Sequence, residues 1–101
     1  DFNKKEQLLK ASPNPFIWET YIEVEDKGKI KDEIEDEITI EIFDNYGRKV
    51  KHLLTSSIGF TNEKLLWQGD DSNGNTLPSG VYHMVLFSDD KEIESIKVVK
   101  R

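Results

Sequence analysis

The stretch Trp67-Gln-Gly-Asp-Asp-Ser-Asn-Gly-Asn-Thr-Leu-Pro-Ser-Gly-Val-Tyr82 joins two apolar alternations through a run of polar residues. Glycine, asparagine, aspartate, serine and proline dominate this run, and tight turns favour these residue types. The stretch contains neither an activated nucleophile nor a cluster of metal ligands. Its pattern is typical of a turn in a β-sandwich, so any function has to be sought on a surface or at a terminus.

Short segments with a period of two lie on both sides of this turn, and none sustains helical spacing over three turns. The predicted strands are residues 6–11, 19–25, 37–43, 48–54, 63–68, 81–88 and 92–100. Pro13 and Pro15 end the first, because proline fixes φ and removes an amide donor. Residues 37–43 are expected to form a central strand, and residues 81–88, apolar on both faces, a strand buried on both. The pattern predicts an all-β fold, an immunoglobulin-like β-sandwich of about seven antiparallel strands.

Residues 26–37 interrupt this pattern with lysines followed by a run of carboxylates. We expect a solvated connection, in which exposed carboxylates lack the burial that would make an acid/base pair. Ile30, Ile34 and Ile38 are spaced by four, which is compatible with a short helical turn. The same residues also fit alternate positions of a strand, so the helix is the less favoured alternative.

The length of 101 residues fits one domain, residues 1–101, with a single core. A net charge of −6 repels phosphate backbones, so no nucleic acid partner is expected. The absence of cysteine excludes disulfides and thiolate chemistry. No apolar run approaches the roughly 18 residues of a membrane helix, and no signal pattern is present, so no membrane-spanning segment is expected. The start at Asp1 without a methionine suggests a fragment, the C-terminal module of a larger protein.

Three motifs occur in a fixed order: Pro13-Asn14-Pro15-Phe16, residues 42–50 around Asn45-Tyr46-Gly47-Arg48, and residues 67–82. Together they resemble the flagellar hook-capping-like immunoglobulin-like family, which includes the C-terminal sorting domains of type IX secretion cargo. The resemblance covers residues 8–101. Its structural motif positions are Pro13, Asn14, Pro15, Phe16, Gly47, Arg48, Trp67, Gly69, Gly74, Gly80 and Tyr82. The chain departs from the family at Gln68, where an acidic residue is usual, and in its longer acidic insert.

The resemblance implies a non-catalytic sorting or attachment domain that directs a parent protein through type IX secretion to the cell surface. Its partners would be outer-membrane translocation or attachment proteins, together with a catalytic or surface domain of the parent protein in cis. That parent would be a larger secreted or outer-membrane protein. The location would be secreted or cell-surface, reached through the periplasm of a Bacteroidetes-type bacterium. Two alternatives remain open: an inert spacer next to a secreted hydrolase or protease domain, and a carbohydrate-binding or adhesion module.

The terminal strand carries the recognition residues that the resemblance implies, Lys97, Lys100 and Arg101, in an otherwise acidic chain. These basic side chains are expected to face outward. The apolar residues Ile93, Ile96 and Val98 are expected to hold the same strand to the sheet.

Four oxygen-bearing side chains, Asp70, Asp71, Asn73 and Asn75, could supply ligands for Ca²⁺. Gly74 interrupts them and no bidentate glutamate follows at the EF-hand distance, so a turn held by Asx hydrogen bonds is favoured. No metal and no cofactor are therefore expected.

The remaining candidates are two histidines and two tryptophans. His52 and His83 lie on different predicted strands without a serine or carboxylate at a diagnostic spacing, and neither receives a role. Trp18 and Trp67 could stack on carbohydrate, but aromatic residues near strand ends more often belong to the core or cover a sheet. Trp67 is expected to pack in or over the core.

Overall fold

The computed structural model describes residues 9–24, 38–55, 64–88 and 91–101, which form seven strands and no helix. The strands are β1 (Leu9–Ser12), β2 (Thr20–Val24), β3 (Ile38–Phe43), β4 (Lys49–Thr55), β5 (Lys64–Trp67), β6 (Gly80–Ser88) and β7 (Lys91–Lys100). The charged segment 26–37, with its two alternative interpretations, lies outside the described residues, as do residues 6–8 of the first predicted strand.

The strands form two sheets in the orders β1-β2-β5 and β4-β3-β6-β7. Every pairing is antiparallel. This confirms the predicted all-β sandwich, and it confirms β3 as a central strand because β3 lies between β4 and β6. In the constant-type immunoglobulin domain the fourth strand pairs in the first sheet, whereas here β4 pairs with β3 in the second.

The core fills the space between the two sheets. Its buried apolar residues are Leu9, Phe16, Ile22, Val24, Ile40, Ile42, Trp67, Tyr82, Met84, Leu86 and Val98. The alternation in β2 is as predicted, with Thr20, Ile22 and Val24 buried on one face. Thr20 is a buried polar residue, and its hydroxyl is satisfied because it donates to the Pro13 carbonyl at 2.8 Å.

The two faces of β6 differ in burial. The inner face is fully buried, whereas on the outer face Val85 is buried and Val81, His83 and Phe87 are half-buried. The prediction of burial on both faces therefore holds completely only for the inner one. Because β6 lies between β3 and β7, side chains of those strands shield its outer face in part.

The described residues contain no helix that is long and apolar enough to cross a membrane.

Candidate functional site

The terminal strand β7 forms one edge of its sheet, and residues 13–16, here called the edge segment, run beside the end of that strand. The Asn14 side chain makes two hydrogen bonds to β7. Its Nδ2 donates to the Lys97 carbonyl at 2.9 Å, and its Oδ1 accepts from the Val99 amide at 2.9 Å. One asparagine side chain thus pairs backbone groups that an edge strand would otherwise leave to solvent or to another chain.

The backbone of Phe16 continues this pairing toward the end of the chain. The Phe16 amide donates to the Val99 carbonyl at 2.9 Å, and the Arg101 amide donates to the Phe16 carbonyl at 2.8 Å. Phe16 thereby forms a parallel bridge with Lys100. The edge segment and the end of β7 are consequently one structural unit, although more than eighty residues of sequence separate them.

Three aromatic motif residues pack together beneath this unit. The ring centroids of Phe16 and Trp67 are 5.4 Å apart, and those of Trp67 and Tyr82 are 5.6 Å apart in an edge-on arrangement. Trp67 is fully buried and its Nε1 donates to the Asp70 carbonyl at 2.9 Å. The prediction that Trp67 packs in the core is confirmed, and a buried ring cannot serve as a carbohydrate platform.

Tyr82 closes the motif that opens at Trp67. Its hydroxyl donates to the Pro78 carbonyl at 2.5 Å, which ties the polar loop to β6. Burial raises the pKa of Tyr82, and the negative charge of Asp44 raises it further. A tyrosine hydroxyl bonded to backbone a few residues upstream is also a feature of immunoglobulin domains.

Gly69 has a steric reason to be glycine. Its φ is +69°, and a Cβ at this position would lie 2.5 Å from Cε of Lys100. The aliphatic stem of Lys100 therefore lies directly over the Gly69 backbone.

The basic residues of β7 do not share one environment. Lys97 and Arg101 are exposed, whereas Lys100 is half-buried against Gly69. The expectation that all three face outward is therefore wrong for Lys100. Strand alternation explains the difference, because Lys100 lies on the same face as Val98, which is fully buried.

The apolar residues predicted to hold β7 do contact the core. Val98 belongs to the buried cluster, and Ile93 and Ile96 pack against it. Residues three apart in a regular strand point to opposite faces. Ile93 and Ile96 can nevertheless both reach the core, because the register of β6 with β7 shifts between Leu86 and Phe87.

Two polar turns are built in the same way, one spanning residues 44–48 and the other residues 71–75. In the first, the amides of Tyr46 and Arg48 both donate to Oδ1 of Asp44 at 2.9 Å. Gly47 follows with φ +86°, a conformation that glycine adopts without strain. The Arg48 guanidinium also donates to Asp44 at 2.8 Å and lies over the Tyr46 ring at 5.5 Å. The predicted hairpin between β3 and β4 is confirmed.

The second turn repeats this geometry in the loop considered for Ca²⁺. The amides of Asn73 and Asn75 donate to Oδ1 of Asp71 at 2.9 and 2.8 Å, and Gly74 has φ +87°. The Asp70 carboxylate pairs with the Lys51 ammonium at 3.1 Å. The predicted Asx turn is confirmed, and protein donors engage Oδ1 of Asp71 and Oδ2 of Asp70.

The two turn aspartates have altered pKa values. Amide donation lowers the pKa of Asp44, chiefly from Arg48, and that of Asp71, chiefly from Asn75, while partial desolvation opposes both shifts. Hydrogen bonds to the charged form favour ionisation, so each turn is tightest when its aspartate is ionised.

We expect the stability of the domain to fall in acid because of these turns. A carboxyl group with a lowered folded-state pKa stabilises the fold above its unfolded value of about 3.9, and this contribution is lost as pH falls through the folded value. The substitutions Asp44→Asn and Asp71→Asn keep an acceptor oxygen but do not titrate. Urea unfolding of the double variant should show a shallower decline below pH 4 than the parent, and an equal decline would contradict the assignment.

The two histidines remain without a catalytic arrangement in the described part of the chain. His52 Nδ1 lies 3.5 Å from Glu41, on the outer face of β3 and β4. His83 is half-buried on β6, opposite Phe43 and Lys97 in register. Among the described residues no three His, Cys, Asp or Glu side chains converge as metal ligands would.

Trp18 departs from the expectation that it covers the core or a sheet, because its side chain is 81% exposed. Extending the alternation of β2 backwards from Thr20 would place Trp18 on the inner face. The strand begins only at Thr20, however, and residues 17–18 form a bend that turns Trp18 toward solvent. The sequence signal for this departure is that Trp18 lies within five residues of two prolines, Pro13 and Pro15.

Comparisons with known proteins identify the fold. No protein-family model and no curated protein matches the chain. Among solved structures, PorZ, an essential surface component of the type IX secretion system of Porphyromonas gingivalis, matches 92% of this chain with a TM-score of 0.60 and 19% identity. Dimeric latent PorU from the same organism matches 91% with a TM-score of 0.65 and 19% identity. FlgD from P. aeruginosa matches 90% with a TM-score of 0.54 and 14% identity.

The matched regions are small parts of the first two proteins. The chain spans 11% of the PorZ chain and 9% of the PorU chain, but 70% of the FlgD chain. At these identities the likeness concerns the fold alone. The chain therefore shares an immunoglobulin-like sandwich with one region each of PorZ and PorU.

Proposed function

We propose that this chain is a non-catalytic sorting or attachment domain of type IX secretion. Its terminal strand β7 would be recognised by an outer-membrane translocation or attachment protein, and the parent protein would reach the cell surface of a Bacteroidetes-type bacterium. The site comprises the exposed side chains of Lys97 and Arg101 on a backbone that the edge segment holds in place.

The geometry of β7 is the observation that carries this proposal. Apolar side chains fix the inner face of the strand, and Asn14 and Phe16 pair its outer edge, so the two exposed basic side chains project from a rigid support. Preorganised groups lose less conformational entropy on binding. The likeness to part of PorZ, a type IX surface component, supports the choice of machinery.

The proposal is tested by fusing the chain to a periplasmic reporter in a type IX-competent host and measuring reporter at the cell surface. Replacing Lys97 and Arg101 with glutamine should reduce surface delivery while stability stays within about 0.5 kcal/mol, as for surface changes generally. Lys100 is left intact because its stem packs on Gly69.

A matched variant removes two positive charges elsewhere. Lys91 and Lys49 are both exposed, the first at the opposite end of β7 and the second on β4. Their replacement with glutamine should leave export unchanged. Equal export by both double variants would exclude recognition through the basic residues.

Deletion of residues 96–101 tests the wider assignment. It removes the whole site, so export should be abolished. Export that survives the deletion would exclude the sorting function and favour the inert spacer.

A further inference from the structure

A second surface lies at the start of β2 in the other sheet. It shares Pro13 and Pro15 with the edge segment but contains none of the basic residues of β7. Pro13, Pro15, Ile17, Trp18, Glu19 and Tyr21 line one open depression, here called the Trp18 surface. Ile17 is 55% exposed, Trp18 81% and Tyr21 45%. Leu66 of β5 pairs directly with Tyr21 of β2 and is 44% exposed, so it extends the same apolar surface.

The concentration of apolar groups here is unusual for the described part of the chain. Five large hydrophobic side chains in that part are strongly exposed, and all except Tyr46 belong to this surface or adjoin it. Single exposed apolar residues are ordinary, but a contiguous group of them marks an interaction site.

The charge on this surface selects the partner. The Tyr21 hydroxyl lies 3.4 Å from the Glu19 carboxylate, so a negative group sits among the aromatic rings. The whole chain carries a net charge of −6. An aromatic face beside a carboxylate attracts a cation through both the ring quadrupole and the charge. Complementary charge also accelerates the encounter with a basic partner.

We propose that the Trp18 surface docks a polypeptide segment in which a lysine or arginine is flanked by aliphatic or proline residues. The basic side chain lies over the Trp18 ring within reach of Glu19. The flanking apolar side chains cover Ile17 and the Tyr21–Leu66 pair. The aliphatic residues favour a polypeptide over a sugar, because sugar hydroxyls placed over Ile17 and Leu66 would lose their hydrogen bonds to water without replacement.

The experiment selects random peptides displayed on phage against the folded, full-length chain. Enriched peptides should share a basic residue flanked by aliphatic or proline residues. Their affinity should fall by roughly tenfold or more in Trp18→Ala and in Glu19→Lys, the loss expected for a partly desolvated cation–π contact with its counter-charge. Tyr46→Ala is the matched control, because Tyr46 is an equally exposed aromatic residue on the β3–β4 hairpin, and its peptide affinity should not change.

An NMR titration places the peptide on the structure. The indole N–H signal of Trp18 should shift on addition of an enriched peptide. The corresponding signal of Trp67, which is buried and bonded to Asp70, should stay in place.

Several outcomes would overturn the proposal. Enriched peptides without a basic residue, or peptides that bind Trp18→Ala as well as the parent, would exclude it. Trp18-dependent binding of neutral oligosaccharides without peptide binding would instead assign a sugar platform. Self-association lost in Trp18→Ala would assign the surface to a second copy of the chain. Because Lys97 and Arg101 lie outside this surface, none of these outcomes depends on the proposed sorting function.

Discussion

Trp67→Ala is expected to lower the free energy of unfolding by about 3 to 5 kcal/mol, the range for removing a large aromatic side chain from a core. The substitution leaves a cavity between Phe16 and Tyr82, whose rings both contact the indole. It also removes the donor to the Asp70 carbonyl and so weakens the start of the polar loop. Urea unfolding followed by circular dichroism measures the change.

Trp18→Ala provides the matched control, since it deletes the same side chain from an exposed position. Its effect on unfolding should stay within about 0.5 kcal/mol. A decrease in the free energy of unfolding below about 1 kcal/mol for Trp67→Ala would contradict the burial of Trp67 in the core, because truncation of a buried aromatic residue costs more than this.

Asn14→Ala is expected to destabilise the domain by about 1 to 2 kcal/mol, because its two hydrogen bonds are exposed and each contributes in the lower part of the range of about 0.5 to 1.5 kcal/mol. Besides lowering the stability of the whole domain, the substitution should loosen the end of β7. Without Asn14, the Val99 amide and the Lys97 carbonyl have no partner from the edge segment. Hydrogen exchange of the Val99 amide should therefore accelerate more than exchange within β3, at the centre of the sheet.

Asn45→Ala serves as the control for this prediction, because Asn45 lies exposed at the tip of the β3–β4 hairpin. It should leave both the free energy of unfolding and the exchange of Val99 unchanged. Unaltered protection of Val99 in Asn14→Ala would show that Phe16 alone holds the end of β7, and would contradict the role given to Asn14.

Asn14 also connects stability to the proposed function. If recognition needs β7 held in place, Asn14→Ala should reduce export of a fused reporter even though Lys97 and Arg101 remain. Comparing this variant with the Lys97 and Arg101 replacements distinguishes loss of export through a displaced β7 from loss of export through missing positive charge.

Local pattern was sufficient to predict most of the fold. The alternation of Thr20, Ile22 and Val24 identified the buried face of β2, and the aspartates and glycines of the two turns identified both reversals. These features depend on residues close in sequence, since side-chain period and turn chemistry are local properties.

The environments of Trp18 and Lys100 could not be predicted in this way. The exposure of Trp18 depends on where β2 begins, because Trp18 precedes the first residue of the strand. The partial burial of Lys100 depends on its contact with Gly69, which lies in a loop distant in sequence. Alternation predicts a face only while the chain stays extended, and it does not identify the group that covers that face.

The all-β class, the turns and the burial of Trp67 follow from local sequence, because apolar periodicity and turn-forming residues act over a few positions. Three further features required the folded chain: Asn14 and Phe16 hold the terminal strand, the rings of Phe16, Trp67 and Tyr82 form one cluster, and Trp18 faces solvent. The reason is that these contacts join parts of the chain distant in sequence, whose meeting depends on how the two sheets pack.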